Sequence, residues 1–121
     1  MNYSFFVLLR ALPAWLALSR EARKALGDEH LGAALASHRG RLTMRYFDAE
    51  AFTAPCSDVM MIETQDPKHH YYFMEQLRDS PLFSVPYFEL LNVITTIEDG
   101  YQAYEATSQP ASDGTAATET N

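Results

Sequence analysis

The sequence predicts a single α+β domain of the ferredoxin-like type, with a four-stranded antiparallel sheet and two helices in the order βαββαβ, as in dimeric α+β barrels. Three observations support this class. The chain has 121 residues, of which 47% are apolar and 21% charged, which suits one domain with its own core. Short aromatic or β-branched runs alternate with segments of helical period. One alternate face of the predicted sheet is apolar but has no helix to cover it.

The first half of the chain supplies a strand, a helix and the turn between them. Residues 3–10, YSFFVLLR, form a buried strand that stops before Pro13. Ser19 is placed to cap a helix that runs to about His38. This helix is apolar on two sides, so we expect it to bend at Gly27 or to contact a second body.

The second half supplies three more strands and one helix. Residues 42–47 and 58–64 alternate or are β-branched, and both predict strands. Asp66 is placed to cap a helix over residues 67–79, which begins with a proline. Residues 87–95 make the last strand. Both crossovers are right-handed by rule, which puts both helices on one face of the sheet.

The chain ends in a segment of different composition. Residues 1–105 contain all predicted elements and form a single ferredoxin-like domain. Residues 106–121 are small and polar, and we expect a disordered tail.

Charge and cysteine content limit the partners and the compartment. The net charge of −7 argues against nucleic acid and anionic membranes, which are bound mainly by Lys and Arg. Cys56 is the single cysteine, so no intramolecular disulfide forms and a reducing cytoplasm is expected. The chain shows no signal peptide or membrane-spanning stretch. Glycine-rich cofactor motifs are absent, and we expect no cofactor.

The uncovered face of the sheet predicts a homodimer, because a second copy would bury its apolar side chains. By alternation this face carries residues from all four strands: Phe6, Leu8, Arg10, Arg45, Phe47, Met61, Glu63, Tyr87 and Glu89.

Two arginines on that face are candidate ligand-binding residues. Arg10 and Arg45 would hold a carboxylate or enolate in bidentate fashion. Trp15 and Tyr87 are expected to line the same small-molecule site. The structural alternative is that each arginine pairs with Glu63 or Glu89 across the strands, which would also explain the charge of a residue in mid-strand.

Candidate acid/base groups come from one helix and one strand. His70 lies at the positive end of the second helix, which favours neutral imidazole. With Arg10 and Glu63 it forms the predicted catalytic set, although a semi-buried core histidine is the simpler interpretation.

Acidic residues also crowd the loop between the second and third strands. Asp48, Glu50, Cys56 and Asp58 invite a metal or acid/base interpretation. Turn capping explains the aspartates better, and we expect no metal site.

Three stretches resemble a known family: FVLLRALPAWLALSR (residues 6–20), RYFDAEAFTAPCSD (45–58), and YYFMEQLRDSPLF followed by PYFELL (71–91). Together they are similar to the darcynin family, small and mostly bacterial proteins classed as a domain of unknown function. The resemblance covers residues 1 to about 105. It implies a ferredoxin-like or dimeric α+β-barrel domain and no particular reaction.

The leading functional expectation is a cytoplasmic homodimer that binds a small, partly apolar acid or carbonyl compound. Such a protein would be a cofactor-independent isomerase, cyclase or lyase, with a place in biosynthesis. This expectation rests on fold analogy. Two alternatives stay open: a non-catalytic ligand sensor or binding module that uses the same pocket, and a protein-protein interaction partner.

Overall fold

A computed structural model of the chain describes residues 1–52 and 55–108. The strands and α-helices, in chain order, are β1 (Tyr3–Ala11), α1 (Pro13–Leu16), α2 (Arg20–Leu26), α3 (Gly32–Ser37), β2 (Leu42–Asp48), β3 (Asp58–Thr64), α4 (Pro67–Arg78), α5 (Pro81–Ser84), β4 (Phe88–Ile97) and α6 (Gly100–Ser108). A π-helical turn over Gly27–Leu31 joins α2 to α3, and a 3-10 turn over Glu50–Phe52 follows β2.

The four strands form one antiparallel sheet in the order β2-β3-β1-β4. The connections from β1 to β2 and from β3 to β4 each skip a strand, which is the ferredoxin-like topology predicted from the sequence. The fold class is therefore confirmed. The helix α6 continues to Ser108, three residues into the segment assigned to the tail, and residues 109–121 lie outside the described part.

The core lies between one face of the sheet and the helices. Val7 and Ile62 from the sheet are fully buried, as are Phe73 and Leu77 from α4. Two predicted caps fix the helix starts. The Ser19 side chain accepts a hydrogen bond from the Ala22 N–H, and the Asp66 carboxylate accepts one from the Lys68 N–H.

The other face of the sheet, called the open face below, is set by the strand register. Phe6 pairs with Met61, Leu8 with Val59, and Arg10 with Glu89. Two large apolar side chains with substantial exposure lie among the same set: Phe47 at 41% and Ile94 at 48%. The predicted set of residues on this face was wrong for one member, Tyr87.

Tyr87 precedes β4 and is not part of the sheet. Its backbone carbonyl accepts a hydrogen bond from the Leu12 N–H, and its side chain is half-buried against the helix-side core. The cause is the late start of β4 at Phe88, whose buried ring faces the helices. Tyr87 is thus removed from the open face.

A β-bulge interrupts the pairing of β1 with β4. Leu9 pairs with Leu90, but the preceding residue of β1, Leu8, pairs with Asn92. Leu91 is therefore the extra residue, and the alternation of β4 changes phase there. As a result Phe88 and Val93 both face the helices, although their numbers differ by an odd interval.

Candidate functional site

A cleft of about 460 Å³ lies between the helices and the sheet, near the end of β1. Leu9 and Phe88 line it from the sheet side, and Trp15, Leu31 and Leu35 line it from the helix side. All five belong to the core cluster or pack against it. Pockets for small molecules typically measure about 300 to 1,000 Å³ and have such apolar walls. The cleft is therefore the candidate ligand site.

The sheet wall of the cleft contains a buried carboxyl group, Asp58, which is only 8% exposed. Its carboxylate accepts a hydrogen bond from the Ser57 hydroxyl at 2.6 Å and another from the Tyr46 hydroxyl. Burial raises the pKa of Asp58 above its ordinary value, and nearby Glu50 and Asp48 add to this effect, while the two hydroxyl donors oppose it. A carboxyl group so placed can exchange a proton nearer neutral pH than an exposed aspartate can.

The Tyr46 phenol is the other member of this pair. Burial and the neighbouring Asp58 raise its pKa far above the ordinary value. The phenol therefore stays protonated at working pH and acts as a hydrogen-bond donor.

Two more carboxylates lie beside Asp58. Oxygen atoms of Asp48, Glu50 and Asp58 all come within 4.8 Å of one another. The crowding of acidic residues seen in the sequence is thus spatial as well. Among the described residues this is a group that could hold a cation, but Asp48 and Glu50 are exposed, and exposed acidic groups are common without an ion. Cys56 is buried and free.

The helix wall contributes a half-buried cation, Arg23 of α2. Its Nη2 donates to the Leu16 carbonyl at 3.0 Å, which fixes the guanidinium. Its Nε is shielded from solvent and has no hydrogen-bond partner among the residues that the structure describes. The neighbouring Lys24 is instead paired with Asp28 at 2.8 Å.

Two glycines of the helix wall leave room in the cleft. Gly27 and Gly32 bracket the π-helical turn, and both line the cleft. A Cβ atom built on Gly27 would meet nothing within 4 Å, and one on Gly32 would approach only the Gly27 carbonyl oxygen, at 3.9 Å. The helix backbone itself therefore forms part of the wall, as π-helical turns often do at functional sites.

His70 lies on α4 and is not among the residues that line the cleft. Its imidazole stacks on the Phe5 ring, with centroids 3.8 Å apart and planes 2° apart. Its Nδ1 is buried, and no hydrogen-bond partner for it is found in residues 1–52 and 55–108. Burial lowers the pKa of His70 to about 4. The predicted neutral histidine is thus present, but its cause is burial against Phe5.

Four of the other predicted catalytic and binding residues lie across the sheet from His70, on the open face: Arg10, Arg45, Glu63 and Glu89. Arg10 Nε is 3.6 Å from Glu89 Oε1, and both side chains are about half exposed, at 51% and 54%. This is the cross-strand pairing given above as the structural alternative. Glu63 also belongs to the open face, opposite Thr43 and Ser4.

Arg45 packs over the Phe47 ring, with its guanidinium carbon 5.2 Å from the centroid. Arg45 lies two strands away from β1, at the level of Phe6, which is four residues before Arg10. This offset corresponds to roughly 16 Å between the Cα atoms of the two arginines. The structure does not bring the two arginines together, and their ligand-binding role stays a prediction.

Trp15 is the predicted residue that does line the cleft. Its ring packs against Phe88 with centroids 4.7 Å apart and against Tyr87 at 5.7 Å. Tyr87 thus packs against the Trp15 ring but is not among the residues that line the cleft.

Sequence reasoning did not place two of the residues that line the cleft, Asp58 and Arg23. Asp58 lies on the same face of β3 as the buried Met60 and Ile62. A carboxylate at a core position is unusual, and this could have pointed to Asp58 from the sequence alone. Arg23 gave no such signal, because an arginine on a helix is ordinarily a solvated residue.

The fold and the cleft define a ferredoxin-like α+β protein of the kind found in α+β barrels, with a pocket between sheet and helices. A family model described as "Darcynin, domain of unknown function" matches residues 2–113. The chain belongs to the darcynin family. It is 54% identical over 63 residues to the darcynin of Chromobacterium violaceum, covering 52% of this chain and 80% of that protein. It is 35% identical over 91 residues to darcynin 1 of Acinetobacter baumannii, covering 75% of this chain and all of that protein.

Solved structures of similar fold include two whose chains are more than twice as long as the part matched here. A heme-binding protein from Thermus thermophilus superposes with a TM-score of 0.72 at 16% identity, covering 84% of this chain and 43% of that chain. The W145V mutant of chlorite dismutase from Candidatus Nitrospira defluvii superposes with a TM-score of 0.69 at 11% identity, covering 89% and 47%. The chain spans less than half the length of these two proteins. At such identities the likeness shows the fold alone. No described helix is long and apolar enough to cross a membrane.

Proposed function

We propose that this protein binds a small, partly apolar molecule in the cleft between the helices and the sheet. The observation that supports this proposal is the combination of aromatic and aliphatic walls with a few polar groups, chiefly Asp58 and Arg23, around about 460 Å³ of space. A cytoplasmic location belongs to the same proposal and rests on the free thiol of Cys56.

The proposed chemistry is acid/base catalysis without a cofactor, as in an isomerase, cyclase or lyase that acts on an acid or carbonyl compound. Asp58 is the proposed proton-transferring group, because it lines the cleft and its pKa is raised by burial. Tyr46 would donate a hydrogen bond to the carboxylate and stabilise its charged form. This assignment replaces the set of His70, Arg10 and Glu63, whose members lie on opposite faces of the sheet.

A ligand-binding module without catalysis is the second candidate. One observation favours it: the Asp58 carboxylate already accepts hydrogen bonds from two protein hydroxyls. These bonds lower its readiness to take a proton from a ligand.

Heme is the ligand named for one protein of similar fold, and the residues around the cleft do not fit it. Among the described residues that line the cleft there is no histidine or cysteine, and the methionine there, Met60, is packed in the core at 2% exposure. Tyr46, the remaining oxygen ligand used by some heme proteins, stays protonated in its hydrogen bond to Asp58. The proposed function therefore contains no heme chemistry.

Dimer formation through the open face is part of the proposal. Phe6, Leu8 and Met61 lie together at the centre of that face, and Ile94 remains 48% exposed beside them. A second copy stacked on the first would remove these side chains from water. An alternative role as an interaction partner would use the same surface for a different protein.

Ligand binding is testable with Trp15, the single tryptophan of the chain, as the reporter. We expect 2-phenylethanol to change Trp15 fluorescence saturably, with a Kd of about 1 mM. Gly27→Leu fills open space in the cleft and should weaken this binding about tenfold. Ala36→Leu is the matched control, because Ala36 is exposed on α3 and does not line the cleft. Equal affinity in both variants would contradict the proposed site.

A further inference from the structure

Arg23 is a charged group in the cleft whose electrostatic requirements the described residues do not meet. It is half-buried, and no ion pair with a carboxylate is found for it among the described residues. Its Nε is shielded and has no hydrogen-bond partner within the part of the chain that the structure describes. A partly desolvated guanidinium without a counter-charge is unfavourable. A compensating anion would stabilise it.

The position of the guanidinium is defined before any ligand arrives. Nη2 donates to the carbonyl of Leu16, the last residue of α1, and this bond ties the side chain of α2 to the preceding helix. Because the Nε is shielded, a ligand in the cleft would meet the Nη end. A fixed and planar donor of this kind suits a carboxylate better than a flexible lysine does.

The other charges of the cleft do not compete for this role. Lys24 is neutralised by Asp28 at 2.8 Å. On the opposite wall, Asp48 and Asp58 would repel an anion, so a carboxylate is directed to the helix side. Asp58 already has two hydroxyl donors. Arg23 is therefore the cleft residue that still needs a partner of opposite charge.

We propose that the ligand of the cleft is a monocarboxylic acid with an apolar body, and that Arg23 binds its carboxylate. The inference rests on the proposed function and adds the charge class and the orientation of the ligand. With the carboxylate at Arg23 on the helix wall, the apolar body lies against Trp15 and Phe88. The space beside Gly27 and Gly32 admits that body, because neither residue has a side chain to fill it.

The test compares three probes that share a phenyl body: phenylacetate, 2-phenylethanol and 2-phenylethylamine. Binding to the full chain is followed by Trp15 fluorescence. We expect the wild type to bind phenylacetate about tenfold more tightly than 2-phenylethanol. This preference should shrink as salt is added, because an ion pair at a cleft is partly screened. These measurements use only the wild type, so their result does not depend on whether a variant folds.

Variants of α2 then locate the charge. Arg23→Gln should weaken phenylacetate binding about tenfold and leave 2-phenylethanol within about twofold. Arg23→Lys should keep part of the preference, because it retains the charge but loses the planar donor pair. Arg20→Gln is the matched control, because Arg20 is exposed on the same helix and does not line the cleft. It should leave the binding of both probes unchanged.

The possible outcomes separate this inference from the proposed function. If 2-phenylethanol binds and Gly27→Leu blocks it, but Arg23→Gln leaves phenylacetate binding unchanged, the anion site is wrong and the cleft stands. If the amine binds most tightly, the acidic wall selects the ligand and the inference is overturned. If none of the probes binds the wild type, the proposed function itself fails.

Discussion

Lowering the pH should destabilise the protein through His70, and replacing His70 by phenylalanine should remove that effect. In the folded protein the pKa of His70 is about 4, because the imidazole is buried against Phe5. In the unfolded chain it returns to its ordinary value of about 6.5. Between these values the unfolded state binds more protons. The stability present above pH 6.5 is therefore lost as the pH falls toward 4.

The magnitude follows from the two pKa values. The largest possible loss of unfolding free energy from His70 is about 3.4 kcal/mol, because each tenfold difference in proton affinity between the two states contributes ~1.36 kcal/mol. Only part of this cost falls between pH 7 and pH 5, about 1.8 kcal/mol. His70 is half-buried, and solvent screening roughly halves the effect. We expect a loss of about 1 kcal/mol, or about 4 °C in Tm for a domain of this size.

The assay is reversible urea unfolding at pH 7 and pH 5, in the wild type and two variants. His70→Phe keeps an aromatic stack on Phe5 but cannot be protonated, and it should lose about 1 kcal/mol less than the wild type on acidification. His69→Gln is the control, because it retains His70, and it should follow the wild type. Carboxylates contribute equally to all three proteins and cancel in the comparison. The same pH dependence in His70→Phe and the wild type would refute the reasoning.

Three further predictions concern assembly, an ion pair and a helix cap. Light scattering should give twice the 13.7 kDa chain mass. Met61→Asp puts a charge at the centre of the open face and should give monomers. A monomeric wild type at micromolar concentration would contradict the dimer. Arg10→Ala should cost under about 0.5 kcal/mol in urea unfolding, because its pair with Glu89 is exposed, and a loss above about 2 kcal/mol would point to a buried role. Asp66→Ala removes the N-cap of α4 and should cost about 1 kcal/mol, whereas Asp66→Asn, which keeps an acceptor oxygen, should cost less.

Most of the fold was predictable because its elements have local causes. Short apolar, β-branched or alternating runs identified all four strands, and Asp66 followed by Pro67 located the start of α4. The face assignment failed at Tyr87, because the start of β4 depends on how Phe88 packs in the core. The bulge at Leu91 was also beyond sequence reasoning, since only the pairing with β1 reveals it.

The candidate site was less predictable, because it depends on which side of the sheet faces the helices at each position. Sequence reasoning placed ligand chemistry on the open face, at Arg10 and Arg45. The cleft lies on the opposite face, where Asp58 occupies a core position. Trp15 was the predicted residue that lines it, and Arg23 became visible only through its contacts.

Because Leu91 is an extra residue in β4, the strand can lose one residue there while the other side chains stay on the same faces of the sheet. On either side of Leu91, the partners in β1 are consecutive residues, Leu9 and Leu8. Deleting Leu91 would thus leave a regular strand with every remaining pair preserved. Deleting a residue away from the bulge, such as Thr95, would instead put either the residues beyond it or those between it and the bulge on the wrong side of the sheet. Relatives one residue shorter in β4 should carry their gap at this position.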